Sequence, residues 1–114
     1  MHELGIAESA LRAVLDVARD AGAVQVRRIV VRIGARSGVE PEAFRFALDA
    51  LRAGTDARDA AVELDCVAAT GLCTTCGARF AVPDLDLPEC PDCGSAAVRV
   101  EGGRELDLMR VDLI

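Results

Sequence analysis

The stretch Cys73-Thr74-Thr75-Cys76-Gly77 and its counterpart Cys90-Pro91-Asp92-Cys93-Gly94 set the organisation of this chain. Each is a C-x-x-C pair followed at once by glycine, the pattern of a four-thiolate zinc site built from two knuckles. A two-residue spacer lets both sulfurs of a pair reach one ion from a tight turn. The glycine permits a positive φ as the chain leaves that turn, and Pro91 fixes φ just inside the second one. One pair alone would be ambiguous between redox and metal chemistry. Two pairs, separated by residues 77–89, point to structural Zn(II) held by Cys73, Cys76, Cys90 and Cys93. Such a site is coordinatively closed and offers no position to substrate or water. Iron in a rubredoxin-like site shares the ligand set and is the chemical alternative.

Outward from the knuckles, the flanking sequence reads as one small α+β unit. Leu4, Ala7, Leu11, Val14, Leu15 and Ala18 recur at helical spacing, with Glu8, Arg12 and Asp16 as an i,i+4 charge ladder opposite them. Gly22 is placed to stop this helix. Val24 to Ile33 reads as a strand ending at Gly34, with Val24, Val26 and Val30 on one face and Ile29, Val31 and Ile33 on the other. Two apolar faces make it a central strand. Pro41 suits the first position of a second helix, whose buried stripe is Phe44, Ala47, Leu48 and Leu51. Val62, Leu64 and Cys66 alternate with acids in a half-buried strand, which makes Cys66 a buried, inert thiol. Arg104 to Ile114 is a last strand whose apolar phase slips between Leu108 and Met109, predicting a bulge there.

The resulting expectation is two helices packed on a three-stranded mixed or antiparallel sheet, with an inserted four-cysteine zinc-ribbon lobe. The α+β domain comprises residues 1–70 and 100–114, and the zinc-binding domain residues 71–99.

Composition narrows the function. The chain has 114 residues, 52% of them hydrophobic, and a formal net charge of −6. An acidic chain with three aromatics is poorly suited to nucleic acid, which calls for a basic stripe and stacking rings. All 13 basic residues are arginine, so lysine-nucleophile and Schiff-base chemistry is excluded. Met1-His2-Glu3-Leu4 carries no basic n-region, so it does not read as a signal peptide. No apolar run approaches membrane-spanning length. The cysteines are therefore expected as thiolates in a reducing, cytoplasmic setting.

His2 is the sole histidine and sits beside the amino terminus. The Met1 amine, the His2 backbone nitrogen and the His2 imidazole can close adjacent small chelate rings on one ion, with the Glu3 backbone nitrogen as a fourth in-plane candidate. An all-nitrogen tetragonal set favours Ni(II) or Cu(II) over zinc. It would strengthen as pH rises, because metal must displace amide protons. By spacing alone, a solvated terminal histidine is the commoner reading. Residues 34–40 read as a strand-to-helix loop whose Glu40 favours a helix N-terminus.

Taken together, Met1-His2-Glu3, the early helix, Ile33-Gly34 leading to Arg36-Ser37 and Glu40, the paired knuckles and the closing Gly103-Arg104-Glu105-Leu106 strand resemble the HypA/HybF family. The resemblance runs over essentially the whole chain in order, and it reverses the odds on His2. It implies a non-enzymatic nickel metallochaperone serving maturation of [NiFe]-hydrogenase and, in some organisms, urease. Ni(II) would be the transported cargo, held by Met1, His2 and Glu3 with Glu40 nearby, and Zn(II) the structural ion on the four cysteines. Implied partners are a nickel-handling maturation GTPase and a hydrogenase large subunit or other nickel enzyme precursor. Neither nucleic acid nor membrane is implied, and the chain would be a monomer or homodimer. Some members carry a histidine beside each knuckle; here Gly77 and Gly94 stand there, so a histidine ligand switch is not available.

Two other readings compete. A zinc-ribbon protein-interaction or nucleic-acid-binding module would need only the knuckles. A zinc hydrolase or C-x-x-C oxidoreductase would need more histidine, or one knuckle free of metal.

Overall fold

The computed structural model describes residues 2–82 and 88–114. Strand β1 (Val26–Gly34) is the middle of a mixed three-stranded sheet. β2 (Ala61–Val67) runs parallel to it and β6 (Leu106–Leu113) antiparallel. A parallel neighbour requires a crossover, and α2 (Pro41–Arg52) supplies it between β1 and β2. α1 (His2–Asp20) lies beside α2 on the same face of the sheet. None of the helices described is long and apolar enough to cross a membrane.

The helix-facing side is built in rows. Val62, Ile29 and Val111 form one row, and Leu64, Val31 and Leu108 the next. Ala7, Leu11, Val14 and Ala18 of α1 and Phe44, Ala47 and Leu48 of α2 close over them. Both helices thus turn the stripes their periodicity predicts toward the sheet, with Leu15 and Leu51 only partly buried and Leu4 exposed. The charge ladder on α1 takes another form, since Asp16 pairs with Arg19 at 3.1 Å.

The expected two apolar faces of β1 need correction. A register shift at Arg27 moves Val26 onto the side of Ile29, Val31 and Ile33, and all four are buried. The opposite side carries Arg28, Val30 and Arg32, and it is solvated. Arg28 pairs with Glu63 at 2.7 Å and Arg32 with Asp65 at 2.9 Å. Val24 lies before the strand and is 80% exposed. The second register shift falls where the slipped phase of the last strand placed it: Val30 pairs with Arg110 and Val31 with Leu108, which leaves Met109 as the bulged residue.

Between β2 and β6 the chain builds a second sheet of its own. β3 (Ala69–Cys73) is flanked by β4 (Arg79–Val82) and β5 (Val98–Glu101), both antiparallel to it. The two sheets meet at a narrow neck. There Gly34 N–H donates to Glu105 O, Ala35 N–H to Val67 O at 2.8 Å, and Arg36 N–H to Gly103 O. Backbone touches backbone here: a Cβ on Gly34 would collide with the Gly103 carbonyl, and one on Gly103 with Ala69.

Candidate metal sites

The four cysteines converge from two turns of the same design. β3 ends at Cys73, whose carbonyl accepts the Gly77 N–H at 2.8 Å; the Cys90 carbonyl accepts the Gly94 N–H at the same distance. Gly77 and Gly94 take φ of 80° and 75°, the conformation their position in each knuckle predicts. Thr74 bonds Ala97 O through both its N–H and its hydroxyl, and Thr75 meets the Ser95 hydroxyl at 3.0 Å, so the knuckles are tied across.

All four sulfurs lie within 4.8 Å of one another. The shortest approaches are between knuckles, Cys73 to Cys93 at 3.6 Å and Cys76 to Cys90 at 3.5 Å. A tetrahedron with Zn–S bonds of about 2.3 Å has sulfur edges of about 3.8 Å, so this cluster fits zinc closely. Its proton chemistry agrees. The Cys76 N–H, 3.4 Å from Cys73 Sγ, helps draw that thiol down to about 6. Cys76 also receives help from the Ala78 N–H, yet the crowding of Cys90 and Cys73 pushes it up to about 12. Cys93 has the Ser95 N–H, but Cys73 moves it upward too. One thiolate forms readily and its neighbours resist, a conflict that a central cation resolves. Cys73 and Cys90 are buried, whereas Cys76 and Cys93 face solvent.

Cys66 is exposed, which overturns the buried thiol expected from alternation. It does share the helix-facing row with Ile33 and Leu106. That row is the last of the sheet, and Leu106 is exposed as well. Beside Cys66 the loop into α2 leaves a groove lined by Gly38, Val39, Glu40 and Pro41. Alternation gives the face but not how far the covering helices reach.

At the other end, α1 begins at His2, and Met1 lies outside the described residues. His2 is exposed at the mouth of a groove lined by Ile6, Ala10, Leu106 and Asp107. Glu3 turns toward α2, where its carboxylate accepts the Glu40 N–H at 3.4 Å. Its own N–H and that of Glu40 hold the Glu3 carboxyl below its ordinary value. Glu40 in turn caps α2, accepting the Ala43 N–H at 2.7 Å with Pro41 following it. The structure thus joins Glu3 to Glu40, and Glu40 starts its helix as the loop pattern predicts. Among the described residues, the four cysteines are the one gathered group of three or more potential metal-binding side chains.

A family model described as "Hydrogenase/urease nickel incorporation, metallochaperone, hypA" matches residues 1–113. A hydrogenase maturation factor HypA of Prosthecochloris aestuarii is 40% identical over 113 residues, covering 99% of both chains. The one from Dechloromonas aromatica is 37% identical over 113 residues with the same coverage. The solution structure of the Ni metallochaperone HypA from Helicobacter pylori has a TM-score of 0.65 at 25% identity, covering 98% of this chain and 97% of that one. A second solution structure, of a HypA protein, has a TM-score of 0.66 at 26% identity, covering 100% of this chain and 97% of its own. With family match, full-length relatives and fold in agreement, this chain belongs to the HypA family of nickel metallochaperones for hydrogenase maturation.

Proposed function

We propose that this protein carries Ni(II) on its amino-terminal end and delivers it to a nickel enzyme precursor, a hydrogenase large subunit first among them and urease as a further recipient. It would work with a nickel-handling GTPase in the cytoplasm, in a role that is delivery rather than catalysis. Structural Zn(II) would sit on Cys73, Cys76, Cys90 and Cys93, in a zinc-binding domain of residues 71–99 set into an α+β domain of residues 1–70 and 100–114.

The observation that carries the nickel reading is the position of His2 as the first residue of α1, exposed at the chain's end. The first four N–H groups of a helix have no intrahelical partner, so the His2 and Glu3 nitrogens are outside the helical ladder. With the Met1 amine and the His2 imidazole they offer nitrogen donors suited to Ni(II). The Glu3 carboxylate would steady the turn through Glu40, which stays close without being committed as a ligand. A carrier must also release its cargo, and a chelate at a chain end can be removed one donor at a time.

The test is a Ni(II) titration of the untagged, zinc-loaded protein beside His2→Ala and a version bearing one extra N-terminal residue. The chain has neither Trp nor Tyr, so absorption reads the metal directly. One-to-one binding that both changes abolish, and that strengthens with rising pH, supports the reading. Equal affinity in all three proteins, or intense thiolate charge-transfer bands showing nickel on the cysteines, refutes it.

A further inference from the structure

Strand β6 has β1 on one side and, among the described residues, no strand on the other. An open edge of this kind can accept a further strand. At its start the edge also has a second wall. Gly5, Ile6, Ser9 and Ala10 on one flank of α1 form a groove with Leu106 and Leu108 of β6. Phe44 and Val31, both buried, close its floor, and His2 stands at its mouth. A strand edge beside an apolar slot is how extended peptides are held by strand addition. Backbone bonds give the affinity, and alternate side chains enter the slot.

The pairing of β6 limits the slot to a short segment and specifies its sequence. Leu106, Asp107 and Leu108 keep unbroken register with Ile33, Arg32 and Val31, and the bulge at Met109 then interrupts it. Along α1 the groove runs from His2 to Ala10, a rise of about 12 Å. An extended chain covers that distance in about four residues. Residues opposite Leu106 and Leu108 would turn into the apolar groove. The residue between them would lie opposite Asp107 on the solvated face. Other acids on that face are already matched: Glu63 pairs with Arg28, Asp65 with Arg32 and Asp112 with Arg110. Asp107 has no ion-pair partner among the described residues, since Arg32 across from it is turned to Asp65 at 2.9 Å. An unmatched carboxylate on an edge strand favours a basic residue directly opposite it. The slot therefore fits an apolar–basic–apolar segment.

We propose that this edge takes an extended apolar–basic–apolar segment of the protein that accepts the nickel. The inference rests on nickel being carried at His2, as proposed above. A segment seated beside residues 106–108 brings its neighbouring residues next to His2. The recipient's own ligands can then replace the carrier's one at a time, and docking and transfer share one groove.

The test uses the full-length, zinc-loaded protein and two capped octapeptides, with Val-Arg-Val or Val-Glu-Val at the centre and histidine at one end. Without nickel, the arginine peptide should shift the amide signals of Ile6, Ala10, Leu106 and Leu108. It should bind roughly fivefold more tightly than the glutamate peptide. Asp107→Arg should invert that preference, with zinc content and circular dichroism confirming that the variant folds. With nickel loaded, the arginine peptide should draw the metal from the protein roughly fivefold faster than the glutamate one. No binding at millimolar peptide, an unchanged preference in Asp107→Arg, or shifts centred elsewhere would overturn the docking site. Shifts that follow protein dilution rather than peptide would mean that a second copy holds the edge, with the same result. Docking without faster transfer would overturn the recipient as occupant. Failure of the nickel reading shows separately, in the titration of the protein alone, and would overturn the occupant even where the arginine peptide docks.

Discussion

The Glu3 carboxylate accepts the backbone N–H of Glu40, joining the first turn of α1 to the residue that caps α2. The contact draws the N-terminal end of one helix onto the start of the other. Among the described residues it is the one hydrogen bond from the Glu3 side chain to the loop that runs to the neck.

That link should be visible in acid. The bonded carboxyl titrates below the ordinary value of 4.5, so folding favours its ionised form. Its stabilisation is fully present above about pH 4.5 and fades as pH falls through the lower folded value. The gap in thermal midpoint between nickel-free wild type and Glu3→Gln should therefore be constant near neutrality and close on acidification. A gap that widens in acid would contradict the contact.

Thiol accessibility separates Cys66 from the cluster. In zinc-loaded protein, iodoacetamide should modify one thiol quickly, with Cys66→Ser abolishing that reaction and leaving zinc content unchanged. Cys73→Ser or Cys90→Ser should instead lower zinc content. Mass spectrometry after brief labelling reads both outcomes.

The neck makes a demand that two glycine substitutions can check. Gly34→Ala drives a Cβ into the Gly103 backbone and should cost several kcal/mol, on the order of other severe core lesions. Gly5→Ala meets open space within α1 and should gain about 1 kcal/mol from helix propensity. Denaturant midpoints of the two variants should move in opposite directions.

The two phenylalanines of α2 make a similar contrast. Phe44 is wholly buried, and Phe44→Ala should cost about 3–5 kcal/mol. Phe46 is 79% exposed, so Phe46→Ala should stay within about 0.5 kcal/mol of wild type. Equal losses from the two would mean that Phe46 is covered in solution.

The knuckles were legible because their chemistry is local: ligand type, spacing and a following glycine fix each turn whatever surrounds it. Helix stripes were legible for a related reason, periodicity being a property of one element. Cys66 was misjudged because its exposure depends on where α2 begins relative to the last row of the sheet. Val26 was assigned to the wrong face because one bulged residue, Arg27, inverts the alternation. The contact between Glu3 and Glu40 had no sequence signature beyond each residue's own helix-start pattern, since it depends on how two helices lie together. The lobe's own sheet was missed as well: its three strands are four or five residues each, too short for alternation to stand out.

The insertion of the zinc lobe between β2 and β6 has a consequence for the order of assembly. β6 must find its place beside β1 after the intervening chain of residues 68–105 has been crossed. A four-cysteine cluster closed by a metal would, with the fixed backbone bonds of the neck, turn that long connection into a short one. The entropy of closing the sheet then falls with the effective length of the loop. On the proposed reading, zinc uptake would be a maturation step for the carrier itself: the chain would complete its own scaffold with one metal before it handles another. Refolding with and without zinc, followed by hydrogen exchange on β6, should show protection of that strand arriving only after the lobe has loaded.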